Sequence, residues 1–320
     1  MKSKKIIRFI TICFTVAMIF CFAGCANIDN VSESKNEETL SDFEISGLRN
    51  TVLYYPDDNG LIVPVMRKIP WDDGIVVSAL ELLVSTKDNE NALSKMGLNP
   101  VMPEGVKFSV SIDDDKKATV DIKGMTDFDD AQSERNMVVS VVNTLTEFPS
   151  IKSVKLQFDG ESTPRMRNGT DVSLEMESFN INVEDNEMAV STGSLNKITL
   201  YYPNVECSTY IPVTRFINKN PDFENAVSEL IKGTQLKGTR NCFPEGTKLL
   251  EARIVDDVAT VNLSSEFLTA EDTEGLAETA YTTLLLTANE FSEISQLTLK
   301  VDGINYDVNA ENTEYINMFR

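Results

Sequence analysis

The chemistry open to this 320-residue chain depends on carboxylates, because it contains 50 Asp and Glu residues and no histidine. The lack of histidine excludes a nucleophile activated by a Ser-His-Asp or Cys-His arrangement, and it excludes most zinc chemistry. Two carboxylates could still hydrolyse a glycosidic bond, as in a cell-wall hydrolase. No carboxylate pair stands out as such a site, so the sequence does not favour catalysis.

Two acidic runs could suggest calcium, but solvated turns are the better interpretation of both. The first run is Asp113–Asp115, and the second consists of Asp127, Asp129 and Asp130. Neither has the Asp-x-Asp-x-Asp-Gly order followed by a later Glu that a calcium loop needs. The sequence therefore predicts no metal site and no other cofactor.

The five cysteines provide one acyl acceptor and one candidate disulfide. Cys13 and Cys21 lie in an N-terminal signal, and Cys25 follows it. Cys207 and Cys242 remain, and an exported chain could oxidise them to a disulfide. The sequence does not place the two at bonding distance, so this pairing stays open. Two thiols without histidine do not make a zinc site.

The N-terminal residues form a targeting signal and are set apart from the fold. Residues 1–24 begin with basic side chains, continue with an apolar run and end in Phe-Ala-Gly before Cys25. This pattern is typical of a bacterial lipoprotein signal, in which the cysteine thiol receives a diacylglycerol. An uncleaved membrane helix is the alternative, but the apolar run is short for a span of ~20 residues. We therefore expect a lipid anchor at Cys25, on the extracytoplasmic face of the membrane.

The chain that follows the signal is polar at first and strongly acidic throughout. Residues 25–50 have few large apolar side chains, which predicts a flexible tether. Without residues 1–24 the chain keeps 25 basic and 50 acidic residues, a net charge of −25. This charge disfavours nucleic acid and anionic lipid as partners. It suits solubility, and it would also suit a cationic partner surface.

The rest of the chain contains one unit written twice. The matching segments occur in the same order, roughly 141 to 148 residues apart. They are Leu53–Pro56 and Leu200–Pro203, Val63–Arg67 and Ile211–Arg215, Pro103–Gly105 and Pro244–Gly246, Ala118–Val120 and Ala259–Val261, and Phe158–Gly160 and Val301–Gly303. A repeat of this length is a whole domain, so the pattern indicates a tandem duplication.

Each copy is predicted to follow the order ββαββαβ. Runs of β-branched and aromatic residues, alternating or ending at Pro, predict the strands. Apolar residues spaced i, i+3, i+4, i+7 predict the helices. Pro64 and Pro212 place the second strand of each copy at a sheet edge or a bulge. We therefore predict an α+β fold in which a mixed or antiparallel sheet carries helices on one face.

The composition also predicts the domain boundaries. The first domain spans residues 51–183 and includes a strand extension after the repeated unit, because apolar residues recur between turn signals there. Residues 184–196 are the predicted linker. The second domain spans residues 197–320 and ends in a C-terminal extension.

Arginine occupies equivalent strand positions in the two copies, at Arg67 and Arg215. Each could contact an anionic group of a partner, but an ion pair with a carboxylate of the same domain is the preferred interpretation. Asp121 becomes Asn262 in the second copy, so neither copy needs a carboxylate there. The tyrosines of the two Leu-Tyr-Tyr-Pro motifs are interpreted as strand packing.

The ordered recurrence of these motifs resembles the tandem GerMN-domain lipoproteins of sporulation and spore germination. The resemblance covers residues 51–160 and 198–303, and it rests on Leu-Tyr-Tyr-Pro, Pro-Val-x-Arg, Pro-Glu-Gly, Ala-Thr-Val, the Leu-Thr-Glu-Phe-Pro helix end, the closing Asp-Gly and Ser264–Phe267. The first copy departs from the family pattern at residues 123–128, where Ser-Ser-Glu-Phe is expected.

The resemblance implies a non-enzymatic, extracytoplasmic lipoprotein of endospore-forming bacteria. Its relatives are linked to the channel complex between mother cell and forespore, and the expected partners are other envelope proteins. A solute-binding or cell-wall-ligand-binding lipoprotein is the alternative function. A carboxylate-dependent wall hydrolase is the third.

Overall fold

The structure, a computed structural model, describes the two repeats over residues 47–184, 195–292 and 294–308. The signal, Cys25 and residues 26–46 of the tether lie outside the described residues, as do residues 185–194 of the predicted linker. No helix within the described ranges combines the length and the apolar character that crossing a membrane requires.

The first repeat adds one helix to the predicted order. Its elements are β1 (Leu48–Pro56), β2 (Ile62–Pro70), α1 (Ile75–Glu81), α2 (Lys87–Ser94), β3 (Lys107–Ile112), β4 (Lys117–Lys123), α3 (Ala131–Thr146) and β5 (Ser153–Phe158). Helix α2 lies in a segment with little apolar periodicity, because Leu93 is its one buried residue. A Thr86 cap, which accepts from the Asn89 N–H, and an acidic first turn stabilise its start.

The second repeat has a 3₁₀ helix where the first repeat has irregular chain. Its elements are β6 (Asn196–Pro203), β7 (Tyr210–Ile217), α4 (Phe223–Ile231), β8 (Leu249–Val255), β9 (Val258–Leu263), the 3₁₀ helix (Ser265–Asp272), α5 (Leu276–Asn289), β10 (Gln296–Val301) and β11 (Ile304–Asn305). The 3₁₀ helix begins within the Ser-Ser-Glu-Phe motif that residues 123–128 lack, with Ser264 as its N-cap, so the two copies differ in structure where their sequences diverge.

The α+β class is confirmed, with the strands of each repeat divided between two small sheets. An antiparallel hairpin forms the first sheet, from β1 and β2 or from β6 and β7. The second sheet joins an antiparallel hairpin to a parallel strand, which the long helix α3 or α5 connects. One continuous apolar cluster runs through both repeats, and the long helices supply much of it. Each long helix also contacts the first strand of its repeat: the Thr144 and Thr287 hydroxyls accept from the Tyr54 and Tyr201 N–H groups.

The closing Asp-Gly of each repeat forms a tight turn that only certain residues accept. Asp159 and Gly160 have φ values of 50° and 84°, and the second copy repeats these with 47° and 81°. Two successive residues at positive φ define the turn that best fits a twisted hairpin, and Asp-Gly is a preferred pair for it. Asp121 Oδ1 accepts from the Gly160 N–H at 2.7 Å, and Asn262 Oδ1 accepts from the Gly303 N–H at 2.9 Å.

A second position that is Asp in one copy and Asn in the other also accepts hydrogen bonds from a turn. In the first hairpin, Asp57 Oδ1 accepts from the backbone N–H groups of Asn59 and Leu61. In the second hairpin, Asn204 Oδ1 accepts from the corresponding turn, at the N–H groups of Ser208 and Thr209. Both exchanges keep a side-chain oxygen aimed at a turn, so these positions need an acceptor and not a charge.

We therefore expect Asp121→Asn to change the stability of the first repeat by less than about 0.5 kcal/mol, and Asp121→Ala to cost about 1 kcal/mol. The ion pair of Asp121 with Lys123, at 3.6 Å, contributes little because the lysine is half exposed. Urea unfolding followed by circular dichroism measures both changes in stability. If Asp121→Asn lowered the free energy of unfolding as much as Asp121→Ala does, the negative charge itself would be needed for stability.

Candidate binding cleft between the two repeats

The chain between the repeats passes through the space between the two opening hairpins. It first joins the parallel-strand sheet, where Met176 and Val154 exchange two backbone hydrogen bonds of 2.8 Å. Residues 181–184 then run beside β7, where Thr214 donates to Asn182 O and Glu184 donates to Thr214 O. The described part of the connection therefore contacts both repeats, and Glu184, the first residue of the predicted linker, is a fixed part of the second.

Asn182 connects the two hairpins through its side chain. Its amide nitrogen donates to Ile62 O in β2 at 2.7 Å and to Pro212 O in β7 at 2.8 Å. Its amide oxygen accepts from the Ile62 N–H at 2.8 Å. The residue has a φ of 48°, a left-handed conformation that asparagine tolerates better than most residues.

Gly238 allows a further close approach between the repeats. A β-carbon at this position would lie 2.9 Å from the Asn59 side chain and 3.0 Å from the Leu61 side chain, in the turn of the first hairpin. These distances are too short for two carbon atoms in contact, whose optimum is about 3.5 to 4.0 Å. A side chain here would force Asn59 and Leu61 to shift, and the φ of 97° at this position also favours glycine.

Arg215 lies at the centre of a buried network that fixes Glu184. The guanidinium donates to Glu184 Oε2 at 2.6 Å, to Glu229 O at 2.7 Å and to Gly233 O at 2.6 Å. The last two acceptors lie at the C-terminal end of α4, where a cation is favoured by the helix dipole. Glu184 Oε1 accepts from the Gln235 N–H and the Thr234 hydroxyl. The Glu229 carboxylate lies 3.7 Å from the guanidinium, so a carboxylate of the same repeat also contributes.

Arg67 occupies the equivalent position with a different environment. It is half-buried, and no ion pair within the described ranges includes it. Burial raises the pKa of the neighbouring Tyr55 hydroxyl to about 12, while the Arg67 guanidinium acts in the opposite direction. Tyr55 donates to Leu82 O at the end of α1, as Tyr202 donates to Leu230 O at the end of α4. The two arginines therefore share a position next to a helix end, but the buried carboxylate is special to the second repeat.

The other residues singled out by the sequence have local roles. Asp113 Oδ1 accepts from the N–H groups of Asp115 and Lys117 in a turn, and Asp130 caps α3. Asp127 pairs with Arg167 at the surface. No group of three or more potential metal ligands occurs in the described ranges.

Cys207 and Cys242 are free thiols in this structure. The Cys207 thiol is exposed beside Arg240. The Cys242 thiol is buried against the Thr283 hydroxyl, and burial raises its pKa to about 12, so that it stays protonated at neutral pH. The structure therefore contains no bond between them.

A cleft of about 910 Å³ opens between the repeats, and corresponding residues of both repeats line it. The Tyr54 hydroxyl donates to Glu147 Oε1 at 2.6 Å, and the Tyr201 hydroxyl donates to Glu290 Oε1 at 2.7 Å. Both tyrosines are buried, and each glutamate directly follows the last residue of a long helix, α3 or α5. The wall between the pairs is formed by residues 178–181, which Asn143 holds through two hydrogen bonds to the Phe179 backbone.

This cleft is not apparent from the sequence. The burial of the two tyrosines agrees with their predicted packing in strands, but their hydrogen bonds to Glu147 and Glu290 are not predicted by any local pattern. The sequence does contain one signal for this site: a Glu-Phe pair recurs at the end of the aligned helices, as Glu147-Phe148 and Glu290-Phe291. A duplicated pair of residues far apart in sequence can be recognised as one site only after the helix is packed on the strand.

The duplicated α+β architecture places the chain in a class of proteins with two tandem domains, and each repeat matches one known family. A family model described as "Germane: Sporulation and spore germination" matches residues 52–163 and again residues 199–307, so the chain belongs to this family. The chain is 28% identical over 290 residues to the spore germination protein GerM of Bacillus subtilis strain 168. The aligned region covers 88% of this chain and 79% of GerM. The solved tandem GerMN domains of B. subtilis GerM match with a TM-score of 0.57 at 25% identity, over 84% of this chain and 96% of that structure. The predicted resemblance is confirmed.

The two arginines give a matched pair of variants. We expect Arg215→Ala to destabilise the protein by about 3 to 5 kcal/mol, because it leaves Glu184 buried without its cation. Arg67→Ala should cost about 1 kcal/mol, which is typical of an average substitution. Urea unfolding followed by circular dichroism measures both. Equal losses would mean that the buried ion pair is not what distinguishes the second repeat.

The same network predicts how stability depends on pH. Burial acts to raise the pKa of Glu184, but the hydrogen bonds from Arg215, Gln235 and Thr234 outweigh it and hold the pKa below its ordinary value. A carboxyl with a lowered pKa stabilises the fold fully above its unfolded-state pKa of about 4.3, and this stabilisation is lost as pH falls through the lower folded-state value. The free energy of unfolding of Glu184→Gln should therefore fall less steeply than that of the parent chain between about pH 5 and pH 3. Identical slopes would contradict the assignment.

Proposed function

We propose that this chain is a lipid-anchored, extracytoplasmic docking module that binds other envelope proteins during sporulation or germination. The observation that carries the proposal is that both repeats match a family of sporulation and spore germination proteins. The lipoprotein-type signal ending at Cys25 supports the anchor, and the polar residues 26–46 would space the repeats from the membrane surface.

The structural roles of the polar groups described above support a non-enzymatic function. Arg215 and Glu184 hold the connection against the second repeat, and Asp121 and Asn262 close equivalent turns. Each of these groups is explained by the fold, so none needs a role in catalysis. The Glu147 and Glu290 carboxylates, which line the cleft from equivalent positions, each accept a hydrogen bond from a tyrosine.

A ligand-binding lipoprotein is the second candidate, and the cleft between the repeats favours it. Its volume of about 910 Å³ falls in the range of about 300 to 1,000 Å³ that is usual for small-ligand sites. A screen of sugars, peptides and muropeptides by thermal shift separates the two candidates, because a tightly bound small ligand raises the melting temperature markedly.

The anchor and the process can be tested together in the native host. We expect deletion of the gene to lower the count of heat-resistant or germinating spores, and the parent chain to restore it. Cys25→Ala should abolish incorporation of labelled palmitate and release the protein from the membrane fraction, while Cys207→Ala serves as the matched cysteine control. An unchanged spore count after deletion would contradict the process, and palmitate on Cys25→Ala would contradict the anchor.

A further inference from the structure

We propose that the cleft between the repeats binds an extended basic segment of a partner protein, whose lysine or arginine side chains pair with Glu147 and Glu290. This inference deepens the docking function proposed above and rests on it. It assigns the binding face and the chemistry of the partner.

The placement of the two glutamates favours a cation. Glu147 follows the last residue of α3, and Glu290 follows the last residue of α5. The C-terminal end of a helix carries a partial negative charge from its unpaired carbonyl groups. Two helix ends and two carboxylates therefore contribute negative potential to one cleft, and duplication has placed one of each on either side.

The buried tyrosines orient these carboxylates. Tyr54 and Tyr201 are only 7% and 4% exposed, and their hydroxyls hold Glu147 and Glu290 at 2.6 and 2.7 Å. An ionised carboxylate can accept about four hydrogen bonds, so a contact with a tyrosine is compatible with a contact to a cation. Charge-assisted hydrogen bonds of this kind are roughly twice as strong as neutral ones.

The charged groups that line the cleft leave it negative. Besides Glu147 and Glu290, the described residues that line the cleft include one cation, Lys197, which is exposed and donates to Asn180 Oδ1 at 3.0 Å. The whole sequence has a net charge of −21, so the surrounding field also attracts a basic partner and repels an acidic one.

The apolar part of the cleft favours a peptide over a small amine. Pro64 and Pro212 line it from the two hairpins, and the 38% exposed ring of Phe179 lines it from the wall between them. Lysine and arginine bury their methylene stems on such surfaces while the charged head reaches a carboxylate. The exposed ring can also receive a cation on its face. A free polyamine would use the carboxylates but little of this apolar lining.

The test is a binding measurement on the full chain in detergent micelles, by fluorescence anisotropy at low ionic strength. The probe is a fluorescein-labelled octapeptide of alternating lysine and alanine. We expect saturable binding to the parent chain, and a loss of about tenfold or more in affinity for the Glu147→Gln/Glu290→Gln double variant. Glutamine keeps an acceptor for each tyrosine, and circular dichroism verifies that the variant is folded. Lys197→Gln should bind the probe more tightly, because it removes the opposing charge.

The matched control is Glu104→Gln/Glu245→Gln, which removes the same charge from equivalent exposed Pro-Glu-Gly positions outside the cleft. It should keep the affinity of the parent chain within about twofold. Equal losses in the two double variants would reduce the attraction to net charge and overturn the proposal. Absence of binding to the parent chain would overturn it too, as would competition by spermidine as effective as that by unlabelled peptide. None of these outcomes changes the palmitate label or the spore counts, which test the docking function separately.

Discussion

The arrangement of the repeats depends on the buried ion pair between the Arg215 guanidinium and the Glu184 carboxylate. The guanidinium needs a carboxylate because a buried cation without a partner is costly, and that carboxylate comes from Glu184, outside the repeated unit. Glu184 can reach Arg215 only if residues 181–184 lie along β7, and this path brings Asn182 between the two hairpins. The same path places residues 178–181 as a wall of the cleft. One ion pair thus sets the course of the chain, the contact between the repeats and the shape of the proposed binding site.

The duplication shows which side-chain properties the fold requires. Asp121 and Asn262 differ in charge but accept the same hydrogen bond from a turn glycine. Asp57 and Asn204 likewise both accept hydrogen bonds from backbone N–H groups of their hairpin turns. Comparison of the copies separates an acceptor requirement from a charge requirement within one molecule. The Tyr–Glu pairs differ from these positions, because both copies retain the carboxylate as well as the tyrosine, in the same geometry.

The sequence predicted the repeated elements well because their signals are local. Alternation marked β4 and β9, and helical spacing marked α3 and α5. It missed α2, whose single buried residue, Leu93, produces no apolar periodicity. It also did not anticipate that the strands of each repeat divide between two sheets, since period-two alternation shows which face is buried but not which strands pair. The cleft was hidden for a similar reason: Tyr54 and Glu147 are distant in sequence and meet only through the packing of α3 on β1.

The dependence of Arg215 on Glu184 means that the two copies are not interchangeable modules. The segment that completes the second repeat belongs to the tail of the first, and within the described ranges Arg67 has no ion pair of its own. Reversing the order of the copies would remove the Glu184 carboxylate from Arg215 and leave only the more distant Glu229 carboxylate, at 3.7 Å. Insertions between Met176 and Val183 should also be poorly tolerated, because both ends of that stretch are fixed by pairing to different sheets. The two repeats therefore form one structural unit in which the order of the copies is fixed by the contacts of the connecting segment.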